Sequence, residues 1–224
     1  MRNPLSKTIE QIKPSGIRKF FDIVSEMPHA ISLGVGEPDF DTPWHVRSEG
    51  IRSLEKGRTF YTSNSGLIEL RQEICKWYQR KYNVLYDYKT EALLTVGGSG
   101  GLAVALRAML DPGDEVIIPE PCYVSYVPCV QLIGAVPVTI ELKNENQFRL
   151  TPEELLAAIT DKTKILILAF PSNPTGAVMT KEDLEPIAKI CQEKDIYVIS
   201  DEIYSELTYG GQKHCSISFF PCVD

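Results

Sequence analysis

The sequence predicts an α/β fold: three layers, α/β/α, around a mainly parallel sheet. Three observations carry this. From residue 93 onward, short apolar runs alternate with helical stretches. Those runs lack a polar–apolar alternation, as strands covered on both faces do. A glycine-rich turn, Gly97–Gly101, joins one run to a helical stretch. The composition agrees with a folded globular chain, since 43% of the 224 residues are apolar and 24% are charged.

Taken in order, Gly16–Glu26 has helical spacing, and Ile31–Val35 is a short extended run. Thr42 and Pro43 can open a helix that continues through Lys56, with proline at its first position. Gly66–Tyr82 carries Leu67, Leu70, Ile74 and Tyr78 along one face of a second helix. Strands are expected at Leu93–Val96, Glu115–Ile118, Val136–Ile140, Ile165–Phe170 and Ile196–Ser200. Between them lie helices at Leu102–Leu110, Val124–Ile133, Pro152–Ile159 and Lys181–Lys194, and Thr151 with Glu154 forms a capping box. In domain terms, residues 1–34 read as an arm with a small-domain segment, and 35–224 as a large domain.

Charge and cysteine content narrow the class. With 23 Lys+Arg against 30 Asp+Glu the net charge is −7, which argues against a general nucleic-acid binder. No apolar run reaches the ~18 residues of a membrane span, and the polar, proline-broken N-terminus is not a signal peptide. The expectation is a soluble, cytoplasmic protein. Six cysteines form no CxxC pair and histidines are few, so free thiols are expected and no metal site.

In a parallel sheet, ligands gather beyond the carboxyl ends of the strands. The segments to weigh are therefore 97–101, 120–126, 171–176 and 201–204. The glycine loop alone permits several readings. Gly97-Gly-Ser99-Gly-Gly101 fits a nucleophile elbow, with Asp201 and His214 following in hydrolase order. Gly98, Gly100 and Ala103 fit a dinucleotide fingerprint for NAD, with Glu120 as the ribose acid. A helix N-terminus holding a phosphate is the third reading, and a tight turn that simply needs glycine is the fourth.

Six landmarks in order decide among them: LGVGEPDF (33–40), YTSNSGLIELR (61–71), TVGGS (95–99), DPGDEVIIPEPCYVSY (111–126), FPSNPTGAV (170–178) and SDEIYSEL (200–207). Over about 31–218 the chain resembles the class I/II aminotransferases, pyridoxal 5'-phosphate (PLP) enzymes of fold type I. The resemblance implies transfer of an amino group from an amino acid to a 2-oxo acid by a ping-pong cycle. It implies that Asp201 pairs with the pyridine nitrogen, and that Asn173 and Tyr204 donate to the 3′-oxygen. Tyr123 would stack on the ring, and Gly98 and Ser99 would hold the phosphate. Tyr61 would reach the phosphate of a neighbouring subunit in a homodimer. Gly36 and Asn173 would meet the substrate carboxylate. Family members often carry Gln or Glu where this chain has Gly100.

The family's Schiff-base lysine falls about twenty residues beyond Asp224, so the resemblance implies a truncated chain, inactive in isolation, with Lys213 not filling that role. The strand matching Leu93–Val96 would pair with one beyond residue 224. A PLP-dependent carbon–sulfur β-lyase and a non-catalytic PLP-binding or dimerisation module are the alternatives that share the cofactor residues.

Overall fold

The computed structural model describes residues 2–12, 16, 23–24, 26–27, 29, 31, 36 and 40–220. The helical spacing at 16–26, the extended run at 31–35 and the expected domain boundary near 35 fall largely or wholly outside those residues. The chain forms two compact units, Lys13–Asn64 and the combination of Met1–Ile12 with Ser65–Asp224.

In the smaller unit one helix is described in full, α2 (Trp44–Glu55); Pro43 caps it rather than occupying its first turn. The larger unit holds α1 (Lys7–Gln11), α3 (Ile68–Tyr82), α4 (Gly98–Met109), β1 (Glu115–Glu120), α5 (Tyr126–Ile133), β2 (Val136–Glu141), α6 (Pro152–Ala158), β3 (Thr163–Ala169), α7 (Lys181–Glu193) and β4 (Tyr197–Asp201). The sheet runs β2-β1-β3-β4 and every pairing in it is parallel. Strand and helix positions agree with the sequence expectation to within a few residues, with one exception. Residues 93–96 join no ladder, Val96 is fully exposed, and Leu94 N–H instead donates to Ser65 O at 3.1 Å. A strand exists only through its pairing, and none of the four strands lies alongside this segment.

Alternation along the two inner strands builds both sides of the core. On β1, Val116 and Ile118 face α4 and α5 while Ile117 faces α6 and α7. On β3, Ile165 and Ile167 share the first side, and Leu166 and Leu168 the second. These side chains are all at most 2% exposed, so the sheet is the middle of three layers. Helix entries are fixed locally. Thr151 and Glu154 make the expected capping box on α6, and Thr180 with Asp183 makes a second on α7 that spacing alone had not singled out.

The chain leaves β1 toward β2 and then returns across β1 to build β3 and β4, so its direction of winding reverses between β1 and β3. That reversal opens a crevice at the carboxyl ends of these two strands. Register sets Ala169 beside Asp201, so the loop after β3 and the end of β4 emerge together.

Replacing Leu166 by Ala should lower unfolding free energy by about 3 kcal/mol, because a fully buried side chain leaves a cavity at the sheet centre. Thr180→Ala should cost about 1 kcal/mol through the lost cap. Urea unfolding checks both, with the slope unchanged.

Candidate active site

Beyond the strand ends lies a cavity of about 390 Å³, the size of a small-molecule site. Gly98, Ser99, Tyr123, Asn173, Asp201 and Tyr204 all line it. Its walls come from the larger unit. Gly36 and Tyr61 belong to the smaller one, where both are exposed.

One wall is the N-terminus of α4. Gly97 turns the chain with φ +79°, and its carbonyl accepts from Thr95 Oγ1 at 2.9 Å. A side chain at Gly101 would press on that hydroxyl, its Cβ only 3.2 Å away, whereas one at Gly100 would meet Thr95 at an ordinary 3.7 Å. Glycine at 100 is therefore not a steric demand. No side chain caps α4, so its leading amides and the positive end of its dipole face outward beside Ser99.

The opposite wall is anionic. Asp201 ends β4, half-buried, and makes no ion pair among the described residues. Its Oδ1 accepts from Ile203 N–H at 3.2 Å, and its Oδ2 accepts from the Tyr126 hydroxyl at 2.8 Å. Burial and the adjoining Asp201 charge push the Tyr126 phenol far above its ordinary range, so it stays a donor. Tyr126 stands inside a segment the sequence had marked, yet no role attached to it. Its partner lies 75 residues away, and no local spacing announces such a pair.

Between the walls, Asn173 sits in a loop closed by Ser172 N–H to Ala177 O (2.9 Å) and Gly176 N–H to Ser172 O (2.8 Å). Its own amide is exposed and bonded to no described residue. The Tyr123 ring stands edge-on to Tyr126, 5.7 Å between centroids. The Ser125 and Ser99 hydroxyls beside the Tyr123 phenol hold it below its usual range. Tyr204 lines the remaining side.

Two other readings of the glycine loop lose their geometry. His214 is buried against Glu202, with Nε2 3.1 Å from Oε2, and Asp201 is held by Tyr126, so no Ser–Asp–His relay is assembled. A dinucleotide fingerprint needs a strand leading into the glycines, and residues 93–96 pair with none of the described strands. Among the described residues no group of His, Cys, Asp and Glu could hold a metal ion, and no helix is long and apolar enough to cross a membrane.

The donor set can be matched to a ligand group by group. It has free amides and a hydroxyl for a phosphate, a carboxylate without a cation for a protonated ring nitrogen, amide and phenol donors for a ring oxygen, and an aromatic face. These are the groups that pyridoxal 5'-phosphate requires, and the residues present fit it.

The family model for aminotransferase class I and II matches residues 28–221. YugH of Bacillus subtilis (strain 168), a provisionally named aminotransferase, is 48% identical over 221 residues, covering 99% of this chain and 57% of YugH. The aromatic-amino-acid aminotransferase 2 of Thermococcus litoralis is 43% identical over 214 residues, 96% of this chain and 55% of that protein. Thermus thermophilus aspartate aminotransferase, solved with maleate, superposes with TM-score 0.91 at 39% identity, covering 98% of this chain and 58% of that one. The chain thus spans a little over half the length of the curated relatives it matches.

Cys122, next to Tyr123, is a test of how closed this end of β1 is. Burial, then the Glu120 charge, push its thiol up to about 11. Relative to an ordinary thiol near 9 that leaves about 100-fold less thiolate at pH 8. Alkylation followed by mass spectrometry should therefore find Cys122 slow in the folded chain and fast in urea.

Proposed function

The chain belongs to the class I and II aminotransferase family, and from that premise we propose that it forms the cofactor-binding part of an enzyme that moves an amino group from an amino acid to a 2-oxo acid. Pyridoxal 5'-phosphate is the cofactor of this family. The observation that carries the reading is Asp201: a half-buried carboxylate with no cationic partner among the described residues, set across a 390 Å³ cavity from an uncapped helix N-terminus.

In this reading the amides of Gly98 and Ser99 and the Ser99 hydroxyl hold the phosphate. Asp201 would hold the proton on the ring nitrogen, with the Tyr126 hydroxyl, also in the cavity wall, fixing the carboxylate's orientation. Asn173 and Tyr204 donate to the ring oxygen, and Asn173 also faces the substrate carboxylate. Tyr123 covers one face of the ring and excludes water from it. Bound there, the cofactor supplies an electron sink for charge at the substrate α-carbon, and the protein tunes it through these contacts. The roles of Gly36 at the substrate carboxylate and of Tyr61 in a homodimer rest on the sequence resemblance.

Among the described residues no lysine lines the cavity. The isolated chain should therefore hold the cofactor reversibly and transfer no amino group, the two substrates reacting by turns only where a lysine is supplied. Equilibrium dialysis should show saturable binding of pyridoxal 5'-phosphate and of pyridoxamine 5'-phosphate. Borohydride should fix no stoichiometric cofactor to the chain. Asp201→Ala should weaken binding about tenfold or more, and Tyr126→Phe by a few-fold, where tenfold is about 1.4 kcal/mol. Turnover of an amino acid with a 2-oxo acid by this chain at an ordinary enzymatic rate would overturn the inactive-chain reading, and absence of any binding would overturn the cofactor site.

A further inference from the structure

Directly behind the two cofactor-facing residues of the 201–204 segment lies a polar cluster that the proposed chemistry does not use. The Glu202 side chain is 10% exposed and that of His214 only 4%. Nε2 and Oε2, both cut off from solvent, face each other at 3.1 Å without the alignment of a hydrogen bond. The other carboxylate oxygen of Glu202 accepts from Ser216 Oγ at 2.6 Å and from Ser200 Oγ at 2.9 Å. Ser216 is itself fixed, by Ser218 Oγ at 2.7 Å and by Ser218 N–H at 3.2 Å. The Tyr82 ring, from α3, stands edge-on to His214 at 5.9 Å. Burial disfavours the charged form of Glu202, yet His214, Ser216 and Ser200 together hold its carboxyl below the ordinary range.

We infer that Glu202 and His214 are a positioning pair that locks the backbone between Asp201 and Tyr204. Glu202 lies between them in the chain, and its side chain ties β4 to the 214–218 segment and, through His214, to α3. The backbone it anchors is otherwise held by short turns: Ile203 N–H to Asp201 Oδ1 at 3.2 Å, Ser205 N–H to Glu202 O at 2.9 Å, and Leu207 N–H to Tyr204 O at 2.9 Å. Such turns are weak alone. Buried polar groups that lose their neighbours are left without partner or solvent, which penalises every arrangement that pulls Glu202 away from Ser216, Ser200 and His214. What the pair contributes here is a single position for the loop, and hence for the Asp201 carboxylate and the Tyr204 phenol. The significance for cofactor binding rests on the function proposed above.

The test compares His214→Leu, which fills the space without a polar atom, with His214→Gln, which returns an amide near the Nε2 position. Amide hydrogen exchange is followed on the chain without cofactor, and pyridoxamine 5'-phosphate affinity is measured separately. For His214→Leu, exchange should quicken about tenfold at Ile203, Ser205 and Leu207 while β1 and β3 keep their protection, and affinity should fall about tenfold. His214→Gln should restore both to within about threefold. Equal behaviour of the two variants would overturn the pair, since mere space-filling would then suffice. So would a uniform rise in exchange across the sheet. Ser216→Ala gives the same comparison in milder form if His214→Leu does not fold. A wild-type chain that binds no cofactor would sink the proposed function, and the exchange measurement would still decide on the pair.

Discussion

The parallel pairing of β3 between β1 and β4 is the constraint on which the rest of the larger unit depends. Parallel strands cannot be joined by a tight turn, so each connection must cross a face of the sheet as a helix. The helices cover both faces, and both faces of β1 and β3 must then be apolar, as Val116–Ile118 and Ile165–Leu168 are. The same pairing sends every strand in one direction. The segments that follow β1, β3 and β4 therefore emerge at one edge, where the reversal of winding between β1 and β3 leaves room for a ligand. Tyr123, Asn173, Asp201 and Tyr204 converge because of topology, and α4 arrives at that edge with its N-terminus first.

This convergence leaves an electrical asymmetry. An uncapped helix N-terminus on one side and, on the other, a half-buried carboxylate with no ion pair among the described residues are each mildly unfavourable for a protein that binds nothing. Local rules are broken in this way at sites whose compensation comes from a ligand. A ligand with an anionic end and a cationic ring matches both at once, which is why the pair of features says more than either alone. Tyr126 explains how the carboxylate is kept usable, since its hydroxyl orients Oδ2 without contributing charge.

The strands and helices of 115–201 were legible because apolar runs and their punctuation are local signals, and the Thr151–Glu154 cap is a spacing in sequence. The Thr180–Asp183 cap follows the same three-residue rule with Asp in place of Glu, a variant outside the usual Glu or Gln pattern. Leu93–Val96 looked like a strand from composition, but pairing is a property of two segments, and no described partner adjoins it. Among site residues, those in contiguous motifs, such as Asn173 and Asp201, could be placed by resemblance. Tyr126 and the Glu202–His214 pair could not, because each contact joins distant points of the chain. His214 even suggested a hydrolase relay, whereas burial beside Glu202 gives it a different partner.

The two contacts that the sequence concealed act on consecutive residues from different sides. Tyr126 belongs to the core layer formed with α4 and α5, and it grips Asp201. Glu202, the next residue, is held by Ser216 and His214, whose neighbours Cys215 and Ile217 pack on the α6–α7 side. A pivot at the end of β4 would have to break one contact or the other, so the carboxylate is oriented before any ligand arrives. Preorganisation of this kind lowers the ordering cost at binding. It also divides the work: Asp201 supplies the carboxylate, while Tyr126 in the cavity wall and the buried Glu202–His214 pair outside it decide where that carboxylate points.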